Sequence, residues 1–115
     1  ALQPVTGATT EDLYDVWGTS ADDVWLVGKN GLALHWDGAQ FTTLATGTTE
    51  TLHAVWGSGA DDVWIVGKAG VLLHWDGTSL SAQQSGTGES LWDVWGIAGE
   101  VWAVGSAGAL VHSAQ

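Results

Sequence analysis

The chain contains no cysteine, no methionine and no arginine, a single proline, and only two lysines in 115 residues. Without cysteine there is no disulfide framework, no thiolate nucleophile and no sulfur ligand for a metal, and nothing is implied about redox compartment. Two basic residues against thirteen acidic ones leave a formal charge of 2 − 13 = −11. Nucleic-acid partners are excluded on that balance, because phosphate recognition needs clustered Lys and Arg. Anionic membrane surfaces are disfavoured for the same reason. No apolar run approaches the roughly 18 residues of a membrane span, so membrane insertion is not expected. The first residues also lack the basic-then-apolar pattern of a signal peptide. G-x-S-x-G, H-E-x-x-H and phosphate-binding loops are missing, and no cofactor motif is present. Helical periodicity is absent too, since no segment repeats apolar residues every 3.6 positions.

What the chain has instead is nine tryptophans, seventeen glycines and a repeat. Residues 21–38 read ADDVWLVGKNGLALHWDG, residues 60–77 read ADDVWIVGKAGVLLHWDG, and GEVWAVGSAGALVHSAQ closes the chain at 99–115. Trp17, Trp56 and Trp95 are spaced by 39, and Trp25, Trp64 and Trp102 by 39 and 38. His35, His74 and His112 follow the same spacing. Residues 16–38 and 55–77 share 17 of 23 positions. A fixed period near 40 marks a repeat architecture. Each unit reads as four short strands, in the first unit 13–18, 23–28, 31–36 and 40–45. Gly and Asp punctuate them, and an Asp-Gly pair supplies the positive φ of a tight turn. The second and third strands are nearly continuously apolar, which requires both faces to be covered.

These features predict an all-β fold: a β-propeller of four-stranded antiparallel blades. The blades fall at about 13–45, 52–84 and 91–115. Leu2 aligns with Phe41 and Leu80, so strand 2–6 is a fourth strand without a blade, while the last unit lacks its fourth strand. Three blades are fewer than the usual range of about 4–8. The ring is therefore expected to be completed by oligomerisation, with strand 2–6 entering the C-terminal blade of another copy. A homodimer of six blades is the leading expectation, and a homotrimer of nine the second.

The phrase SADDVWLVGKNGLALHWDG resembles the Trp-rich blade repeats of bacterial propellers, and the resemblance covers essentially the whole chain. It implies a secreted or cell-surface setting. HWDG is superficially similar to the WD40 signature, but that family's Gly-His and Trp-Asp placement is not reproduced, so its partner binding is not carried over. Partial rings that assemble into a full propeller also resemble the small propeller lectins, which implies multivalent sugar binding. The lectins' Arg contacts have no counterpart in a chain without arginine.

Two groups of residues are candidates for ligand binding. Trp36 and Trp75 precede Asp37 and Asp76 at the corner turn, and indole faces stack on sugar rings while carboxylates accept hydroxyl hydrogen bonds. The alternative is an edge-covering Trp and an ordinary turn. The second group repeats along one rim: Glu11, Glu50 and Glu89; Tyr14, His53 and Trp92; Lys29 and Lys68. Its alternative is a solvated loop edge. Metal binding is not expected, because equivalent histidines on neighbouring blades lie about 10 Å apart while zinc needs ligands at about 2–2.3 Å. The histidines are expected to tie blades together through a backbone or carboxylate partner. Acid pairs recur by repetition, whereas an active site needs one asymmetric constellation, so the chain reads as no enzyme. The functional expectation is a multivalent carbohydrate-binding module. The alternatives are a protein-interaction platform or a structural scaffold, whether a fragment or an engineered array, and a hydrolase comes last.

Overall fold

The computed structural model describes residues 2–97 and 99–114, and these form an all-β structure of three antiparallel sheets. The first contains β1 (Leu13–Ser20), β2 (Asp23–Gly28), β3 (Ala33–Trp36) and β4 (Phe41–Thr43). The second contains β5 (Leu52–Gly59), β6 (Asp62–Gly67), β7 (Leu72–Trp75) and β8 (Leu80–Ala82). The third contains β9 (Leu91–Ile97), β10 (Glu100–Gly105) and β11 (Leu110–Ala114). Strand order within each sheet follows chain order, so every blade is a meander. Residues 2–6 form no strand within the single chain.

Local chemistry explains the turns. Between the second and third strands a one-turn 3₁₀ segment places Asn30, Ala69 and Ala107 at φ of 62°, 61° and 55°. Asn accommodates the left-handed region through its short polar side chain, whereas the two alanines carry the steric penalty of Cβ there. At the corner, Asp37 Oδ1 accepts hydrogen bonds from the Ala39 and Gln40 amides at 2.9 and 2.8 Å. Gly38 follows at φ 96°, and the Asp22 carboxylate fills the space where a Cβ would stand.

The sheets are stacked face to face and converge on their first strands, β1 against β5 and β5 against β9. Two apolar layers fill the two gaps. In the first, Trp25, Val27 and Ala33 meet Leu52, Val55, Val63, Ile65 and Leu73. In the second, Ala54, Trp64, Val66 and Leu72 meet Leu91, Val94, Val101 and Ala103. The continuous apolar run of the second strand is thereby explained, because alternate residues serve opposite gaps. In the middle blade Val63 through Gly67 are all buried. In the outer blades only one face of that strand is covered: Trp102 and Val104 are exposed on β10.

The junctions carry one more feature, a tryptophan seated over a glycine. A Cβ on Gly57 would fall 2.6 Å from Trp17 Cη2, and a Cβ on Gly96 would collide with the ring of Trp56. Asp15 adds a polar tie at the first junction, its Oδ2 accepting the Val55 amide at 3.0 Å. Position 54 is Ala, so the second junction lacks that bond. Gly57→Val should therefore destabilise the chain more than Gly59→Val, whose Cβ meets nothing within 4 Å. The expected cost at Gly57 is about 2–3 kcal/mol from overpacking, read by denaturant unfolding; equal midpoints for the two variants would refute the seating.

Candidate functional site

Polar side chains gather at three places, of which the corner turn belongs to the first two blades alone. The first is a relay inside the sheet. Asp23 Oδ2 accepts the Thr19 hydroxyl at 2.5 Å while Asp23 Oδ1 lies 2.6 Å from His35 Nε2. The second blade repeats this with Ser58, Asp62 and His74 at 2.5 and 2.6 Å, and Trp64 Nε1 donates to Asp62 Oδ1 at 3.2 Å. Each histidine ring lies against the tryptophan of the second strand, at centroid distances of 5.0, 4.1 and 3.9 Å in the three blades. The expected carboxylate partner is present, but the bond joins the second and third strands of one blade. The histidines therefore do not tie one blade to the next through these bonds, because Nε2 of each meets a carboxylate of its own sheet.

Thr19 and Ser58 were not singled out in the sequence, yet they are the extra residues of β-bulges, between the paired positions Gly18 and Ser20 and between Gly57 and Gly59. A bulge re-aims one side chain, here onto the carboxylate. The signal was present in the third unit, where three changes occur together. The turn is one residue shorter, Ile97 stands at the hydroxyl position, and Glu100 replaces Asp. The longer Glu100 side chain reaches His112 directly.

The second place is the corner turn. Asp37 and Asp76 spend Oδ1 on their own turns, the latter accepting the Thr78 and Ser79 amides at 2.8 and 2.9 Å. Those backbone donors, led by Gln40 and Ser79, hold both carboxyls below the ordinary value of 3.8. Trp75 is half-buried in the first gap, with its ring edge-on to Trp25 at 5.4 Å. Trp36, its counterpart, packs on Phe41 at 4.8 Å and donates Nε1 to the Ala21 carbonyl at 3.1 Å. It lines an apolar hollow of about 440 Å³ with Val5, Ala8, Leu13, Val24 and Leu26. That hollow occupies the face of the first blade that a preceding blade would cover.

The third place is the rim. Tyr14, His53 and Trp92 form a row, with ring centroids 6.1 and 4.4 Å apart. All three are bulge residues on their first strands, lying between the paired positions 13 and 15, 52 and 54, and 91 and 93. Tyr14 and Trp92 are half exposed, and His53 sits between them with Nε2 buried and unbonded. Burial, and secondarily the charge of Lys68, pushes the His53 pKa below 6.5. Trp92 Nε1 donates to Ser106 Oγ at 2.9 Å, at the position that Lys29 and Lys68 hold in the other blades.

Glu11 and Lys29 line a separate cleft of about 540 Å³ with Asn30, Thr43, Thr46, Thr48 and Thr49. There Asn30 Nδ2 donates to Glu11 Oε2 at 2.5 Å. The rim thus divides: the acid and lysine of the first unit face one cleft, while Tyr14 borders a different hollow with Leu13, Asp15, Val16 and Leu26. Glu50 and Glu89 occupy the matching loops of the second and third units, each accepting no side-chain bond equivalent to that of Asn30 because Ala69 and Ala107 replace it. Among the described residues no group of three or more His, Cys, Asp or Glu side chains is placed to hold a metal ion.

Acid should unfold the chain in two stages. Burial of Asp23 and Asp62 opposes their ionisation, but the hydrogen bonds from Thr19 and Ser58 and from the histidines outweigh it and lower both pKa values below 3.8. The unfolded carboxyl then binds its proton first, so this stability is complete above the ordinary value and is lost as pH falls below it. His53 acts in the same direction at higher pH: its folded pKa lies below 6.5, so stability is complete above 6.5 and declines beneath. His53→Phe should remove the upper stage, and Asp62→Asn should cost about 1–2 kcal/mol at neutral pH. Urea midpoints measured from pH 8 to pH 3 check both, and an upper stage unchanged in His53→Phe contradicts the assignment.

No known protein family matches the sequence, and no curated protein sequence matches it. The fold does match solved structures. A structure of YCF48 bound to D1 peptide superposes with a TM-score of 0.72 at 24% identity, over 90% of this chain and 37% of that one. YCF48 from Cyanidioschyzon merolae gives 0.72 and 24%, over 95% of this chain and 38% of that one. The chain therefore spans under two fifths of the length of either neighbour. The likeness fixes the architecture: this chain is an arc of β-propeller blades.

Proposed function

We propose that the protein is a non-catalytic interaction module whose propeller ring is completed by further copies of the same chain. One observation carries the reading: the arc ends in the two unmatched halves of its own junction. Trp95, on the last blade, is 57% exposed, whereas its equivalents Trp17 and Trp56 sit over buried glycines of the next blade. Gly18, on the first blade, is exposed and meets no tryptophan, whereas Gly57 and Gly96 are buried beneath one. Val16 is 59% exposed where Val55 is 4%, and Leu13 is 41% exposed where Leu52 is 0%. A face of this apolar character marks an association surface. The sequence repeat makes the last blade's outer face complementary to the first blade's, so a second copy fits it as the third blade fits the second.

Trp102 of one copy then meets Trp36 of the next, as Trp25 meets Trp75. Residues 2–6 lie along β11 of a neighbouring copy. Leu2 pairs there with Ser113, as Phe41 pairs with Trp36 and Leu80 with Trp75. Two copies give six blades, inside the usual range of about 4–8. Three copies give nine. A head-to-tail interface of this kind closes only if the rotation per chain divides a full turn.

A protein ligand suits the finished ring. One YCF48 structure is bound to D1 peptide, and the half-exposed aromatic row of this chain offers an apolar surface for a peptide. Carbohydrate binding is the second reading, favoured by the cleft in which Glu11, Asn30 and Lys29 face threonine hydroxyls. Binding of one glycan class, inhibited by free sugar, supports that reading, and silence across a glycan array removes it.

Paired variants test the assembly. Trp95→Ala removes a ring that the single chain leaves exposed, so it should leave folding intact and weaken association by about 2–4 kcal/mol per junction. Trp17→Ala removes the equivalent ring from an internal junction and should cost about 3 kcal/mol of stability instead. Sedimentation velocity and denaturant unfolding separate the two effects. A Trp95→Ala chain with unchanged mass contradicts the proposal.

A further inference from the structure

We propose that the Tyr14–His53–Trp92 row is a docking site for a lysine- or arginine-bearing peptide segment, with Trp92 as the principal seat of the cation. This rests on the reading of the chain as an interaction module and specifies the chemistry of its partner. The row is built by the backbone: each ring belongs to a residue that a bulge displaces from the ladder of the innermost strand. Repetition of the bulge in all three blades brings three rings of different chemistry into one line. Packing does not account for that line, because Tyr14 and Trp92 remain 50% and 52% exposed.

The occupant follows from charge and ring chemistry. An indole or phenol face attracts a cation through its quadrupole, and indole does so most strongly. The chain carries −11 overall, so a cationic segment is drawn to it. Competing cations are placed unevenly. Lys29 and Lys68 start the turns of the first two units, whereas the third turn starts with Ser106. Ser106 also accepts the Trp92 indole N–H at 2.9 Å, which fixes a ring that packs beside His53 and stays half exposed. The third unit is thus the one where a partner's cation meets an oriented indole without a resident lysine.

Titration calorimetry of the wild-type protein with an acetylated pentalysine peptide tests this, with the fully lysine-acetylated peptide and pentaglutamate as controls. Binding of the lysine peptide alone is expected, weakening with added salt. Trp92→Ala should lower affinity about tenfold, while Trp92→Phe, which keeps a ring face, should lower it no more than about threefold. Ser106→Lys restores the resident cation and should weaken binding to a similar degree as Trp92→Ala. Native mass is measured for each variant, so a loss of assembly is read separately from a loss of binding. Equal affinity for the acetylated peptide, or lysine-peptide binding that neither Trp92→Ala nor Ser106→Lys alters, overturns the proposal while leaving the ring intact. Absence of binding to an assembled wild-type ring overturns it as well.

Discussion

Each blade is held to the next by an indole laid over a glycine. Trp17 over Gly57 and Trp56 over Gly96 bring two sheets close enough for their apolar residues to interlock. A side chain at Gly57 would hold the first strands apart and open the gap that Leu52, Ile65 and Leu73 fill, and one at Gly96 would open the gap that Leu91 and Val94 fill. Close packing has no tolerance for such spacing errors. The tryptophan-glycine pair therefore sets both the distance and the direction in which the arc grows. Because the pair lies between units, the end faces of the arc carry one exposed indole, Trp95, and one exposed glycine, Gly18.

Within a blade the ordering element is the carboxylate between a hydroxyl and an imidazole. It fastens the third strand to the second and fixes the ring that lies on the buried tryptophan. These carboxylates are half-buried, and the bulges at Thr19 and Ser58 supply each with a hydroxyl donor beside its histidine. The third unit shows what happens when that bulge is lost. Ile97 pairs regularly with Glu100, and the longer acid spans the distance to His112 alone.

The 39-residue period, the strand count and the apolar runs were sufficient to read the architecture, because repetition multiplies weak local signals. The glycines after each first-strand tryptophan were legible only as punctuation. Their role as seats depends on contact between residues 40 positions apart, which no local pattern reveals. The difference between the two corners was hidden for a related reason. Trp75 and Trp36 share a sequence environment, but one is covered by the neighbouring blade and the other is not. Asp37 and Asp76 each commit Oδ1 to backbone partners that no sequence pattern places. The rim was legible as a set of repeated positions. Its division into a ring row and a separate cleft was not, because bulges turn Tyr14, His53 and Trp92 away from the ladder and no composition signal announces a bulge.

The account turns on the two open faces being halves of one junction. Native mass spectrometry of the unaltered chain addresses this most directly. The account predicts a closed assembly at a small whole multiple of 11.9 kDa, with two copies giving 2 × 11.9 = 23.8 kDa and three giving 3 × 11.9 = 35.7 kDa. A chain that remains at 11.9 kDa across the micromolar range, or an open ladder of ever larger species without a closed end point, would contradict it.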